Sequence, residues 1–190
     1  MQRERGAAPT RSGDRVIERV WEWRFDAPPD VLWPVLTDTA RSNEAVGLPR
    51  YAVSETPLPD GTVRRIGCAR KFGLALRWEE GVPEWVVPRL FLHERRFHSG
   101  PLRLVRTEIT LDPDGAAGSL VHYRLSLAAR SALLEPVLRL AFLPNFGRTL
   151  DRLFREAAAT ATSGEEPGFR PTPPDLPAAV RQREIGRAHV

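Results

Sequence analysis

Acid–base or metal chemistry needs His, Cys, carboxylates or Arg gathered on one side of an element, and this chain offers few such places. Its histidines are His93, His98, His122 and His189. None are spaced i,i+4, as two zinc ligands on a helix would be. Cys68 is the single cysteine. It falls mid-strand with no His beside it, and it reads as a small core residue rather than a nucleophile. Glu79 and Glu80 are adjacent on an extended stretch, so they point to opposite faces and make no catalytic carboxylate pair. The same holds for Glu165 and Glu166. There is no glycine-rich phosphate loop, no nucleophile elbow and no HExxH. No metal and no cofactor is therefore expected, and no catalytic residue is assigned.

What remains is polarity on long strands. Residues 85–97 read as one strand. If Trp85, Val87 and Phe91 face inward, Arg89 and His93 share that face at period two. A buried Arg or His needs a partner. The alternative is a slip of the faces at a bulge around Pro88, which leaves both residues solvated. On the functional reading, Trp78, Arg89, Phe91, His93, Tyr123, Phe142 and Phe146 line a small-molecule pocket of aromatics with a few polar groups. In an enzyme, Arg89 or His93 would be the acid/base group.

The element that must close such a pocket is a long helix over residues 131–162. In its second half Phe146, Leu150, Leu153, Phe154, Ala157, Ala158 and Ala161 recur at spacings of three and four on one face. Arg148, Asp151, Arg152, Arg155 and Glu156 fall opposite. The first half, 133–143, is apolar nearly all round and is expected to be covered on most sides. Pro144 removes a backbone donor and should kink the axis.

The strands that would hold this helix come first. Residues 16–25 alternate, with Ile17, Trp21, Trp23 and Phe25 on one side. Pro28 and Pro29 suit a helix start with Asp26 as a cap, and Thr37 or Asp38 can cap a second short helix. From residue 51 six strands follow, with turns at Pro59-Asp60-Gly61 and at Asp112-Pro-Asp-Gly115. The order is one strand, two short helices, six strands and a long helix. That is an α+β fold, a curved antiparallel sheet wrapped around its last helix.

At 190 residues the chain is one domain with tails. Lys71 is the single lysine among 28 basic residues, and these are interspersed with 24 acids. That mixing argues against a nucleic-acid surface. No apolar run reaches the length of a membrane span. The start has no apolar core of a signal peptide, and a lone Cys fits a reducing cytoplasm. Residues 1–15 are expected to be a disordered tail, 16–162 the folded domain and 163–183 a proline-rich linker. Residues 184–190, Glu-Ile-Gly-Arg-Ala-His-Val, match a sequencing-library adapter read in frame and are set aside. On this reading the natural protein continues past Arg183.

The order of elements, with the junction Phe25-Asp-Ala-Pro-Pro-Asp-Val-Leu-Trp-Pro-Val-Leu36, resembles the START-related, polyketide-cyclase-like SRPBCC superfamily. The resemblance covers residues 16–162 and implies a helix-grip fold around an apolar cavity. A narrower likeness rests on Trp33-Pro34, Thr37-Asp-Thr-Ala-Arg-Ser-Asn43 and Gly47-Leu-Pro49. These are similar to the N-terminal SRPBCC-type domain of certain bacterial class III adenylate/guanylate cyclases. Ser42 stands where those domains tend to carry an aromatic. The likeness implies a cytoplasmic, lipid-like-ligand-binding regulatory module that signals to a C-terminal output domain, without stable membrane insertion. A polyketide cyclase/dehydratase-like enzyme and a standalone lipid carrier are the alternatives it leaves open.

Overall fold

The computed structural model of the chain describes residues 16–45, 47, 51–71 and 73–162. The expected tail 1–15, the linker 163–183 and the segment 184–190 lie outside the described residues.

Strand β1 (Val16–Phe25) leads into two short helices, α1 (Pro29–Leu36) and α2 (Thr39–Ala45). Pro28, not Asp26, holds the cap position of α1 and makes no side-chain cap bond there. Fixed φ at Pro28 and Pro29 does the work a capping carboxylate would otherwise share. Ahead of α2, the Asp38 carboxylate accepts from the Arg41 N–H at 3.0 Å, as expected.

The strands β2 (Ala52–Pro57), β3 (Val63–Lys71), β4 (Leu74–Glu80), β5 (Glu84–Val86), β6 (Leu90–Phe97), β7 (Leu102–Asp114) and β8 (Gly118–Ala129) follow. All belong to one eight-stranded antiparallel sheet in the order β1-β8-β7-β6-β4-β3-β2, with β5 paired to β6. The turns are the expected ones. Gly61 and Gly115 take φ of 82° and 69°, values only glycine adopts at little cost. Asp60 holds its turn by accepting from the Thr62 N–H and hydroxyl.

The expected single strand over 85–97 is two. The chain reverses at a cis Val87–Pro88 bond, so β5 and β6 pair with each other and Trp85 faces Phe91 across the ladder. Proline cannot donate to a ladder. Here the chain turns at that point instead of bulging.

The long helical segment is also interrupted. A 3₁₀ turn (Ala132–Leu134) capped by the Ser131 hydroxyl passes through one α turn, α3 (Glu135–Val137), into a π-helical turn (Leu138–Phe142). Only then does the regular helix α4 (Leu143–Thr162) begin. Pro144 lacks the N–H that would bond the Leu140 carbonyl, and the backbone widens just before it. The first half is not covered on most sides. Leu133, Val137 and Leu140 are 86%, 57% and 80% exposed. Leu138 and Phe142 turn inward and pack on the core.

α4 itself has the expected phase. Leu150, Leu153, Phe154, Ala157 and Ala158 are buried, and Arg148, Arg152, Arg155 and Glu156 are exposed. Phe154 meets Trp23 edge-on, ring centroids 5.1 Å apart. One polar tie fixes the same contact: Trp23 Nε1 donates to Asp151 at 2.9 Å. The outer face of the sheet is charged, with pairs such as Arg24–Asp114 and Arg64–Glu79. Cys68 is exposed rather than a core residue.

Candidate functional site

Residues directly opposite one another in an antiparallel pair share a face. Through the register, Phe91 lies beside Ile109 and then Tyr123; His93 beside Thr107 and Leu125; Arg95 beside Val105 and Leu127. On the other side Arg95 lies opposite Glu80, and Phe97 opposite Trp78. Ile109, Tyr123, Leu125 and Leu127 belong to the core with α4, so this is the concave face. It has an apolar half under α4 and a polar half on β4 and β6.

Glu80 is the centre of the polar half. Its carboxylate accepts from Trp78 Nε1 at 2.7 Å, from Arg95 Nε at 3.2 Å and from His93 Nε2. Burial alone would raise its pKa. The His93 hydrogen bond and the Arg95 charge outweigh burial and bring it down to about 2. An ionised carboxylate only accepts, so Nε2 of His93 carries the shared hydrogen, and in the neutral imidazole Nδ1 is then the proton-accepting atom. Carboxylate-oriented imidazole is an arrangement that can move a proton.

Arg95 is 8% exposed. Besides Glu80, it donates to the Tyr51 hydroxyl at 2.8 Å and to Asn43 Oδ1 at 3.4 Å. Its guanidinium also lies over the rings of Tyr51 and Trp78, 5.2 and 5.8 Å from their centroids. Burial, supported by Glu80 and opposed by Arg95, raises the Tyr51 pKa, so its hydroxyl stays protonated. Gly67 lies opposite Trp78 on β3, and a Cβ there would run into the indole ring. The missing side chain lets the ring settle against the strand.

The apolar half centres on Phe146, which packs with Phe142, Trp21 and Tyr123 at centroid distances of 5.6, 5.7 and 5.9 Å. Burial pushes the Tyr123 hydroxyl up to about 12, even with a hydrogen bond to Thr107. Trp21, Phe91, Phe142 and Phe146 touch the core but remain partly exposed. They form an apolar surface that the helix does not fully cover.

Of the residues singled out from sequence, Phe91, His93, Tyr123, Phe142 and Phe146 come to this face, and Trp78 joins them through Glu80. Arg89 does not. It sits exposed on the β5–β6 turn, where its carbonyl accepts from the Leu111 N–H at 2.9 Å. Period two fails across Pro88 because the chain reverses there. Glu80, Arg95, Tyr51 and Asn43 escaped the sequence reading. Two signals were available: Glu80 is two residues from Trp78, and Arg95 two from His93. Tyr51 and Asn43 carry no local pattern that points here.

Solved structures share this architecture. The aromatase/cyclase Zhui from Streptomyces sp. R1128 superposes with a TM-score of 0.56 at 14% identity, over 79% of this chain and 99% of that one. The chain has the helix-grip fold. A second helix-grip match is the di-domain ARO/CYC StfQ of the steffimycin biosynthetic pathway, with a TM-score of 0.52 at 13% identity, covering 78% of this chain and 52% of that one. The structure of Ara h 8.0201 matches with a TM-score of 0.50 at 12% identity, over 78% and 99%. No family model and no curated protein matches the sequence. Among the described residues, no helix of this helix-grip fold is long and apolar enough to cross a membrane.

Proposed function

We propose that the chain binds a mostly apolar small molecule on the concave face. The ligand's body would lie against Phe91, Phe142 and Phe146, and its polar end would point toward His93 and Arg95. One observation carries this reading: partly exposed aromatics of the core stand beside a buried, fully partnered carboxylate on a single face. A protein built for stability alone gains little from burying such an ion pair. The shared fold with an aromatase/cyclase supports a place in the START-related SRPBCC superfamily. The likeness at Trp33-Pro34, Thr37 to Asn43 and Gly47 supports a narrower reading. On it the chain is the ligand-sensing input of a bacterial class III nucleotide cyclase, working in the cytoplasm and passing its state to a C-terminal output domain.

Native mass spectrometry of freshly purified protein tests binding. A co-purified small molecule of discrete mass, released on denaturation, is the expected result. Only apoprotein, together with no uptake of an uncharged apolar dye, would refute it.

The Glu80–His93 pair favours one other reading, an enzyme acting on polyketide-like substrates with His93 Nδ1 as the base. Cyclisation of a poly-β-ketone by the wild type, lost in His93→Gln with ligand affinity kept, would establish it. Unchanged turnover in that variant would exclude it.

A further inference from the structure

The donors and acceptors around Arg95 do not balance, and the imbalance has a sign. Glu80 is the acceptor of the cluster, and it is taken by Trp78, His93 and Arg95. Neutral His93 keeps Nδ1 as an acceptor, and Asp38 Oδ2 ahead of α2 is buried with no partner among the described residues. On Arg95, Tyr51 and Asn43 themselves, the N–H and O–H groups left over are donors. A guanidinium has five N–H groups. Arg95 spends its Nε–H on Glu80 and one N–H each on Asn43 and Tyr51, which leaves two. The Tyr51 oxygen accepts from Arg95, so its own O–H is free to donate. Asn43 offers Oδ1 to Arg95, which fixes its amide orientation and leaves Nδ2 as its donor. That Nδ2 is buried and, among the described residues, has no acceptor. A buried donor left unmade costs about 1–3 kcal/mol.

Three donor side chains of different chemistry thus meet in one cluster, Asn43 on α2, Tyr51 just before β2 and Arg95 on β6. Resting on the binding reading above, we infer that Arg95, Tyr51 and Asn43 form an anchor for an acceptor-only oxygen at the ligand's polar end, a carbonyl or a carboxylate. A hydroxyl would bring a surplus hydrogen into a site already rich in them. An ammonium would meet Arg95 charge to charge. The anchor would also join α2 to the sheet through the ligand, because Asn43 is the one group of the three on that helix.

The test uses four naphthalenes that differ in a single group, each displacing N-phenyl-1-naphthylamine from the full chain at pH 7. They are 2-acetonaphthone, 2-naphthoate, 2-ethylnaphthalene and 2-naphthylmethylammonium. An acceptor head should bind about tenfold or more tighter than 2-ethylnaphthalene, and the ammonium no tighter. The ketone leading would assign a carbonyl, and the naphthoate leading a carboxylate. Tyr51→Phe and Asn43→Leu, each of which keeps Glu80 and Arg95 paired, should cut that preference to about threefold or less. The affinity for 2-ethylnaphthalene should not change in either. Four equal affinities, or the ammonium binding tightest, would overturn the anchor while leaving apolar binding intact. If the dye and all four probes fail to bind, the anchor and the binding reading fall together.

Discussion

The indole of Trp78 lies against Gly67, its direct cross-strand neighbour, in a space that a single methyl group would fill. The same ring donates to Glu80 at 2.7 Å and stacks edge-on with Tyr51 at 5.0 Å. Gly67 therefore sets the position of the charged cluster without touching it. Gly67→Ala should force the ring off the strand and destabilise the fold by about 1–3 kcal/mol. A urea transition would read the loss, and a change in tryptophan emission would locate it. Unaltered stability and emission would mean that the ring does not depend on this gap.

Phe154 is the central side chain of the grip. It is 0% exposed and lies between Trp23 and Tyr123. Phe154→Ala should cost about 3–5 kcal/mol, the range for deleting a buried aromatic. Equilibrium denaturation measures it directly. A cost below about 1 kcal/mol would show that α4 is not held by this contact.

Glu80 gives the fold a pH dependence whose sign follows from its shift. The pKa is lowered from 4.5 to about 2 in the folded chain. Its contribution is therefore complete above the unfolded value and is lost as pH falls from about 4.5 toward 2. The loss should reach up to about 3 kcal/mol, from a shift of that size at about 1.4 kcal/mol per unit. Glu80→Gln should remove the slope in that window. It should also lower stability at pH 7 by about 3–5 kcal/mol, since Arg95 is then buried without its counter-charge. Denaturation curves across pH 2–5 for both proteins decide it. Equal slopes would place the acid sensitivity elsewhere.

What was legible in the sequence is whatever rests on period and turn chemistry. The phase of α4 follows from the spacing of Leu150, Leu153, Phe154 and Ala157, because a 20-residue helix averages out local exceptions. The sheet follows from alternation between Gly-marked turns. Pro88 was harder. A proline inside an alternating run fits a bulge or a reversal equally well, and only the pairing of Trp85 with Phe91 separates the two. The segment 133–142 misled for another reason. Its leucines lie on both sides, and hydropathy alone does not tell a buried helix from one with Leu133 and Leu140 in solvent. The polar cluster was half legible. Trp78–Glu80 and His93–Arg95 are each two apart. Asn43 and Tyr51 meet Arg95 across sequence separations of 52 and 44 residues, which no local pattern encodes.

The most direct measurement of the central claim is a titration with N-phenyl-1-naphthylamine comparing the wild type with two tryptophan variants. Val105 is half-buried on the concave face, opposite both Arg95 and Leu127, whereas Ala141 is exposed on the π-helical turn. The wild type should bind one dye per chain. Val105→Trp should weaken that binding by about tenfold or more while circular dichroism confirms the fold, and Ala141→Trp should leave it unchanged. A folded Val105→Trp protein that binds the dye as tightly as the wild type would contradict a ligand held on this face.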